Sequence, residues 1–490
     1  MLDILIHGAQ LIDGTGATAR RADVGVRGDR IAAVGELADA EAGQRIDASG
    51  LVVCPGFVDI HNHAHAEAEG GITTMPQADN MVRQGVTTLV AGNCGGSRWP
   101  IDEHLAEVEQ LEIRQNYATF IGHSTVRGKA LRGKRAADPE ALEQICRLIV
   151  EGVEQGAMGV STGLPNSSAS TNELIEVARA AARAGGIYAS HIRDEGEKLL
   201  EAVDEAIQVA RQAEAPVQIS HLKTYGSSTW PKIDTLEQML YKAADEGLPV
   251  TADRYPYTRC FTGIRALARD AASRLLGKKD RTAAETRELL AAIRRRIDFT
   301  GGPEHTTLAP LTPALEVDGK TLADYSRDQG LSPAEAVLQL TERGGISAIY
   351  DVMCEANLHR ILALPMVMVS SDGHLRIHGR GVSHPRNYGT FPRVLGKYVR
   401  EEGVAPLGEA VKKMTSMPAE KLKLRDRGVV RQGAFADLVI LDPRTVTDRA
   451  TFEDSHRYPV GIEYVIVNGG VAVAAGETAA GCFGRVLRRH

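Results

Sequence analysis

The chain has 490 residues, 43% hydrophobic and 24% charged, with a formal net charge of -6. That length exceeds what one simple core usually serves, so one large α/β domain plus a smaller one is expected, and the composition excludes a disordered chain. The small charge and the lack of a basic run argue against a nucleic-acid or acidic-membrane partner.

The opening "MLDILIHGAQLIDG" lacks the charged and apolar regions of a signal peptide, and no apolar segment reaches the roughly 18 residues that span a bilayer, so a cytoplasmic protein is expected. Cys54, Cys94, Cys146, Cys260, Cys354 and Cys482 are scattered without a CxxC pair, which fits reduced thiols. The oligomeric state is left open.

In chain order, "DILIHGAQLID", "ADVGVRGDRIAAVG" and "RIDASGLVVCPG" alternate apolar and polar positions between Gly-containing breaks, as short strands do. The same texture returns in "ADLVILDP" and "GIEYVIVNGGVAVAAGE", where "NGG" signals a hairpin. Between them lie eight β-branched runs: "GFVDIHNH", "VTTLVAGNC", "TFIGHS", "MGVSTGL", "IYASHI", "PVQISHL", "PVTADRYPY" and "MVMVSSD". Helical periodicity separates them, as at Asn172–Ala184, Glu197–Ala213, Thr235–Glu246 and Pro333–Arg343. The expected architecture is a (β/α)8 TIM barrel over residues 57–420, with a β-sandwich built from residues 1–56 and 421–490. The long interval before the eighth run predicts an insertion or lid at about 265–320, after the seventh strand.

His61 and His63, Cys94, His123, His191, His221, Asp253 and Asp372 sit at or just beyond the ends of these runs. Strand C-termini of a barrel converge on one face, so residues distant in sequence meet at one mouth. His61 and His63 share a side of their strand and can offer two imidazoles to one cation. Alone, the motif also admits a solvated histidine loop as the lesser reading. His65 continues the parity farther into the loop, where it suits substrate contact or support of the ligands. A lone cysteine is usually a small buried hydrophobe, but Cys94 stands between glycines at a strand end, where a thiolate can bridge two divalent ions. His191 and His221 add imidazoles from adjacent strands. Asp372 follows an apolar run, and a carboxylate there is costly to bury unless it binds a metal or a proton. It can act as ligand and as general base toward water.

These residues resemble the amidohydrolase superfamily and, within it, the D-aminoacylase (N-acyl-D-amino-acid deacylase) family. The resemblance runs through "LIDGTGA", "PGFVDIHNH", "GVTTLVAGNCG", "GHSTVRG", "ISHLK", "SSDG", "HPRNYGTFPRVLGKY" and "FADLVILDP". It implies a metal-dependent hydrolase of N-acyl-D-amino acids that uses one or two Zn2+ ions or other divalent metals, with Cys94 as the bridging ligand. One site would take His61, His63 and Asp372, and the other His191 and His221. The resemblance also implies that Lys223, Tyr255 and Arg386 contact the carboxylate of a small-molecule substrate. His65 and His123 are candidates to support the developing oxyanion. The segment "RYPYTRCFTGIRALARD" offers Arg259 and Arg265 to a second acidic group or to solvent.

Two segments depart from the family pattern. "STGLPNSSAST" lacks the expected tyrosine, and "AHAEAEGGITTMP" is longer, glycine-rich and carries His65 and Glu67. A cyclic amide or a dipeptide is the alternative substrate class. A non-catalytic ligand-binding barrel is the remote one.

Overall fold

A computed structural model describes residues 1–65, 71–133, 135–165, 167–268, 274–278, 280–310 and 316–489. Glu67, Asn166 of "STGLPNSSAST" and parts of the expected insertion lie outside the described residues.

Eight parallel strands form the barrel: Phe57–Asp59, Val86–Ala91, Asn116–Thr119 continued by Ile121–Gly122, Gly159–Gly163, Ile187–His191, Val217–Ile219, Val250–Arg254 and Val367–Val369. These are the eight runs expected from sequence. Residues just past the first and eighth strands close the ring. Asp372 N–H donates to His61 O at 2.8 Å, His63 N–H donates to Gly373 O at 2.7 Å, and Asn62 bridges Gly373 in parallel register. Closure thereby fixes His61, His63 and Asp372 against one another.

The outer helices follow from local sequence. In Thr171–Arg183 the Ser170 side chain caps the Glu173 N–H, and Leu174, Val177, Ala178 and Ala181 make one buried stripe at the helical period. Leu199–Ala213 and Ile233–Asp245 pack likewise. Pro333–Arg343 is a helix as expected but is not a barrel helix. Its buried Ala334, Ala336, Val337 and Leu340 join a separate core with Leu289, Ile293, Ile297, Leu308 and Tyr350. That core belongs to an insert larger than 265–320. It is built on an antiparallel sheet of Arg259–Gly263, Ser347–Asp351 and Thr306–Leu308, with helices Ala283–Phe299 and Leu322–Gln329.

Both chain ends build the sandwich. Leu2–His7, Asp23–Arg27, Arg30–Gly35 and Ala42–Asp47 form one sheet, and Val52–Pro55, Leu438–Leu441, Ile462–Val467 and Gly470–Ala474 lie in the other. Leu438, Ile440, Val53 and Ile466 face the first sheet, whereas Val439, Leu441, Val52, Cys54 and Val465 join the barrel core. The period of two thus buries both faces, which explains the unbroken apolar "LVIL". Beyond the sandwich, Val486 bridges Tyr117, so the last described residues run along the third barrel strand. No helix among the described residues is long and apolar enough to cross a membrane.

Candidate metal centre

The barrel mouth gathers the six expected ligands. The donor atoms of His61, His63 and Cys94 lie within 4.8 Å of one another, as do those of Cys94, His191 and His221, and those of His61, His221 and Asp372. Cys94 Sγ lies 3.5 Å from His61 Nε2 and 3.7 Å from His221 Nε2, so the thiol sits between the two histidine pairs. Cys94, His221 and Asp372 all have left-handed backbones, with φ of 53°, 38° and 47°. For residues with a side chain this costs about 1–3 kcal/mol each, and it turns each donor inward at its strand end.

Electrostatics favour the ligating forms. Burial pushes the Cys94 thiol up, but His61, His191 and His221 outweigh it and hold it well below the ordinary cysteine value. Burial likewise acts to raise the Asp372 carboxyl, yet Arg386, His61 and the hydrogen bond from His63 hold it well below the carboxylate range. His61 moves the other way. Burial disfavours its charge, but Asp253 and Cys94 raise it well above normal. A thiolate and a carboxylate beside His61, His63 and His221, which are all shifted toward their protonated forms, make a site where a divalent cation can replace those protons, while burial lowers His191 and keeps it neutral. The N, S and O donors, with the thiolate common to two groups, fit zinc.

Two carboxylates that sequence reasoning did not assign orient the imidazoles. Asp253 Oδ1 accepts from His61 Nδ1 at 3.1 Å, from the His221 N–H at 2.9 Å and from Ser370 Oγ at 2.7 Å, which leaves His61 Nε2 facing the centre. Glu195 Oε1 lies 2.8 Å from His221 Nδ1 and also pairs with Lys223. Their signals were present: Asp253 ends a barrel strand, and Glu195 follows His191 by four residues in "HIRDE". His374 was also missed, two residues after Asp372. Its ring stacks on His63 at 4.7 Å and faces the cavity.

A cavity of about 550 Å³ opens onto the centre. Lys223 and Tyr255 line it. Arg386 is placed differently. Its Nη1 donates to Asp372 Oδ2 at 2.7 Å, the residue is fully buried, and it does not line the cavity, because a buried guanidinium is held by its nearest carboxylate. His65 accepts the Gly92 N–H on Nδ1 at 3.0 Å and so braces the second strand end. His123 opens the helix His123–Leu131 and turns to Glu173, 3.0 Å from Nε2, which Arg127 also engages. Neither histidine lines the cavity. Their placement does not match oxyanion support, since each ring is already committed to a neighbouring loop or helix.

Comparison with known proteins agrees with this geometry. The sequence profile of the Amidohydrolase family matches residues 44–473. The D-aminoacylase of Alcaligenes xylosoxydans xylosoxydans is 38% identical over 99% of this chain and 98% of its own. A crystal structure of D-aminoacylase, described as defining a novel subset of amidohydrolases, superposes with a TM-score of 0.86 at 35% identity, covering both chains fully. The N-acyl-D-glutamate deacylase of Bordetella bronchiseptica, solved with zinc and a phosphonate mimic of the tetrahedral intermediate, superposes at 0.87 with 32% identity, again over both full chains. Hydantoinases share the fold alone, at 18% identity and a TM-score of 0.58. A barrel whose strand ends gather this donor set, matched over its full length by such relatives, belongs to the amidohydrolase family.

Proposed function

We propose that this enzyme hydrolyses the amide bond of N-acyl-D-amino acids, releasing a carboxylate and a free D-amino acid, with zinc held by His61, His63, Cys94, His191, His221 and Asp372. The observation that carries the reading is the thiol of Cys94, common to both histidine pairs, in a chain that resembles named D-amino-acid deacylases over its whole length. When bound, zinc supplies Lewis acidity at the scissile carbonyl and lowers the pKa of water.

The chain's own residues do the rest. Arg386 occupies Asp372 Oδ2, which leaves Oδ1 toward His61, 3.4 Å from Nε2, and toward His63, 2.9 Å from Nε2. Held as a carboxylate, Asp372 takes a proton from the attacking water at Oδ1 and delivers it to the leaving nitrogen. Lys223 and Tyr255 present a cation and a phenol to the substrate carboxylate at the edge of the cradle. Arg386 serves first to hold Asp372. Six unpaired cysteines suit a reducing compartment, which supports a cytoplasmic location.

The test is a panel of N-acetyl-D-amino acids, their L-enantiomers, hydantoins and dipeptides, assayed with the zinc-loaded enzyme. Turnover of the D-series is expected. Turnover confined to cyclic amides or dipeptides overturns the reading.

A further inference from the structure

One loop at the barrel mouth is held by a segment from outside the barrel. The chain between Asp372 and Arg386 leaves the mouth after His374, which lines the cavity, and exposes Ile377, His378, Gly379 and Arg380 before it returns. Facing it is the excursion between the sandwich strands Leu438–Leu441 and Ile462–Val467, closed at its base by an antiparallel bridge of Thr447 and Val460. Asp448 anchors that excursion, since its Oδ2 accepts from Tyr257 Oη and from Arg393 Nη1, each at 3.1 Å.

The two segments meet at His456. Its Nε2 lies 2.9 Å from Gly381 O, and its Nδ1 lies 3.1 Å from the Gly379 nitrogen and 2.9 Å from Tyr388 Oη. A carbonyl only accepts and a backbone N–H only donates, so these partners fix the ring as the neutral tautomer with its proton on Nε2. Gly379 and Gly381 have left-handed φ of 73° and 68°, and that bend lets an N–H and a carbonyl of one short turn reach the same imidazole. Beside it, the Ser383 N–H donates to Ser455 Oγ at 3.1 Å, and the His378 and Tyr458 rings stack at 4.7 Å.

A second proton has no acceptor to meet. Placed on Nδ1 it confronts the Gly379 N–H, and although Tyr388 Oη can turn to accept, the backbone donor cannot. Burial, with the charges of Arg376 and His378, lowers His456 below the ordinary histidine value, against the Gly381 carbonyl and Asp454, which favour its charge. Asp454 is itself engaged by Arg457, and the nearby phenols of Tyr388 and Tyr458 are pushed up by burial and stay neutral. The clasped ring therefore refuses a proton that a released ring accepts, so the clasp is at full strength above the ordinary histidine value and weakens as pH falls below it. We propose that His456 is a pH-sensitive clasp that holds the loop of residues 376–382 at neutral pH and releases it in acid, loosening the stretch of chain that joins Asp372 to Arg386. The clasp is read on the protein without substrate, so its failure would leave the deacylase reading untouched.

Trypsin tests it at Arg380. Nicking between Arg380 and Gly381, followed by mass spectrometry as fragments 1–380 and 381–490 and normalised at each pH to a free peptide of residues 374–384, reports how often the loop opens. In the unmodified enzyme the normalised rate should rise about fivefold or more from pH 7.5 to pH 5. His456→Gln offers a carbonyl to Gly379 and an amide N–H to Gly381 but takes no proton, so its rate should stay within about twofold across that range. His456→Ala should nick about fivefold faster at pH 7.5 with no further rise in acid, the scale of one lost hydrogen bond. Ser455→Ala weakens the same contact without touching a titrating group, so it should nick faster at both pH values and keep the acid rise. Circular dichroism at both pH values checks that each variant is folded. An acid rise below about twofold in the unmodified enzyme overturns the proposal, as does a rise in His456→Gln or His456→Ala equal to that of the unmodified enzyme.

Discussion

The barrel mouth and the insert face each other across one cavity, yet they are built on opposite terms. At the mouth three cations are matched by anions. Asp372 is held by Arg386, Lys223 by Glu195, and His61 by Asp253, each by direct contact. The donors lie within a few residues of the ends of parallel-paired strands, the first and eighth of which meet through the Asn62–Gly373 bridge. The insert has its own core and its own sheet, and it reaches the cavity through Phe261, Thr262, Arg296 and Ser347, among which Arg296 is braced by rings rather than by charge. On the proposed function the difference is a division of labour: the barrel would carry the chemistry, and the insert would shape what is admitted to it.

The comparison breaks most visibly at Asp372. Asp372→Asn should lower kcat by about 10³-fold or more, because no other carboxylate of the lining is free to move the proton. Cys94, His191 and His221 remain as a donor set, so zinc content should fall by less than activity does. A variant with near-native kcat in the presence of zinc contradicts the role given to Asp372.

Acid should act on the barrel wall through His104. Burial, aided by the charge of Arg98, lowers this histidine to about 4, and its Nε2 lies 2.9 Å from Tyr117 Oη. Between pH 6.5 and 4 the unfolded chain binds a proton that the folded chain refuses, so stability falls as pH falls through that window. The loss approaches about 3 kcal/mol at its lower end. His104→Gln should flatten the slope of Tm against pH between 7 and 4, and an unchanged slope removes His104 as its cause.

The smallest effect sharpens the other side of the comparison. Phe299 seats the insert on two barrel glycines: a Cβ added at Gly226 would stand 2.6 Å from its ring, and one at Gly196 3.0 Å. Gly226 also has a left-handed φ of 89°, so both its conformation and its bareness are used. Phe299→Ala should raise KM about three- to tenfold with kcat within about twofold. A loss confined to kcat places Phe299 in the chemistry instead.

The barrel was legible because β-branched runs followed by helical periodicity admit few other architectures, and the candidate ligands were legible because they end those runs. Other features depended on how segments outside the local pattern fold against one another. That Arg386 holds Asp372 requires the loop after the eighth strand to fold back. That His123 turns to Glu173 depends on where a helix begins. Asp253 reads in sequence as one more strand-end acid until His61, 192 positions earlier, is set beside it. Helix Pro333–Arg343 has the right period and the wrong neighbours, since periodicity names an apolar face without naming the core that covers it.

Closure of the ring through Asn62 and Gly373 also sets an order in time. His63 and Asp372 are 309 positions apart, so at ordinary rates of synthesis roughly 15–60 s pass between the emergence of one and of the other. Cys94, His191 and His221 have all emerged well before then. One half of the cradle is therefore complete in chain order while the other waits for the last strand, and Asp372 is the last of the six residues to arrive.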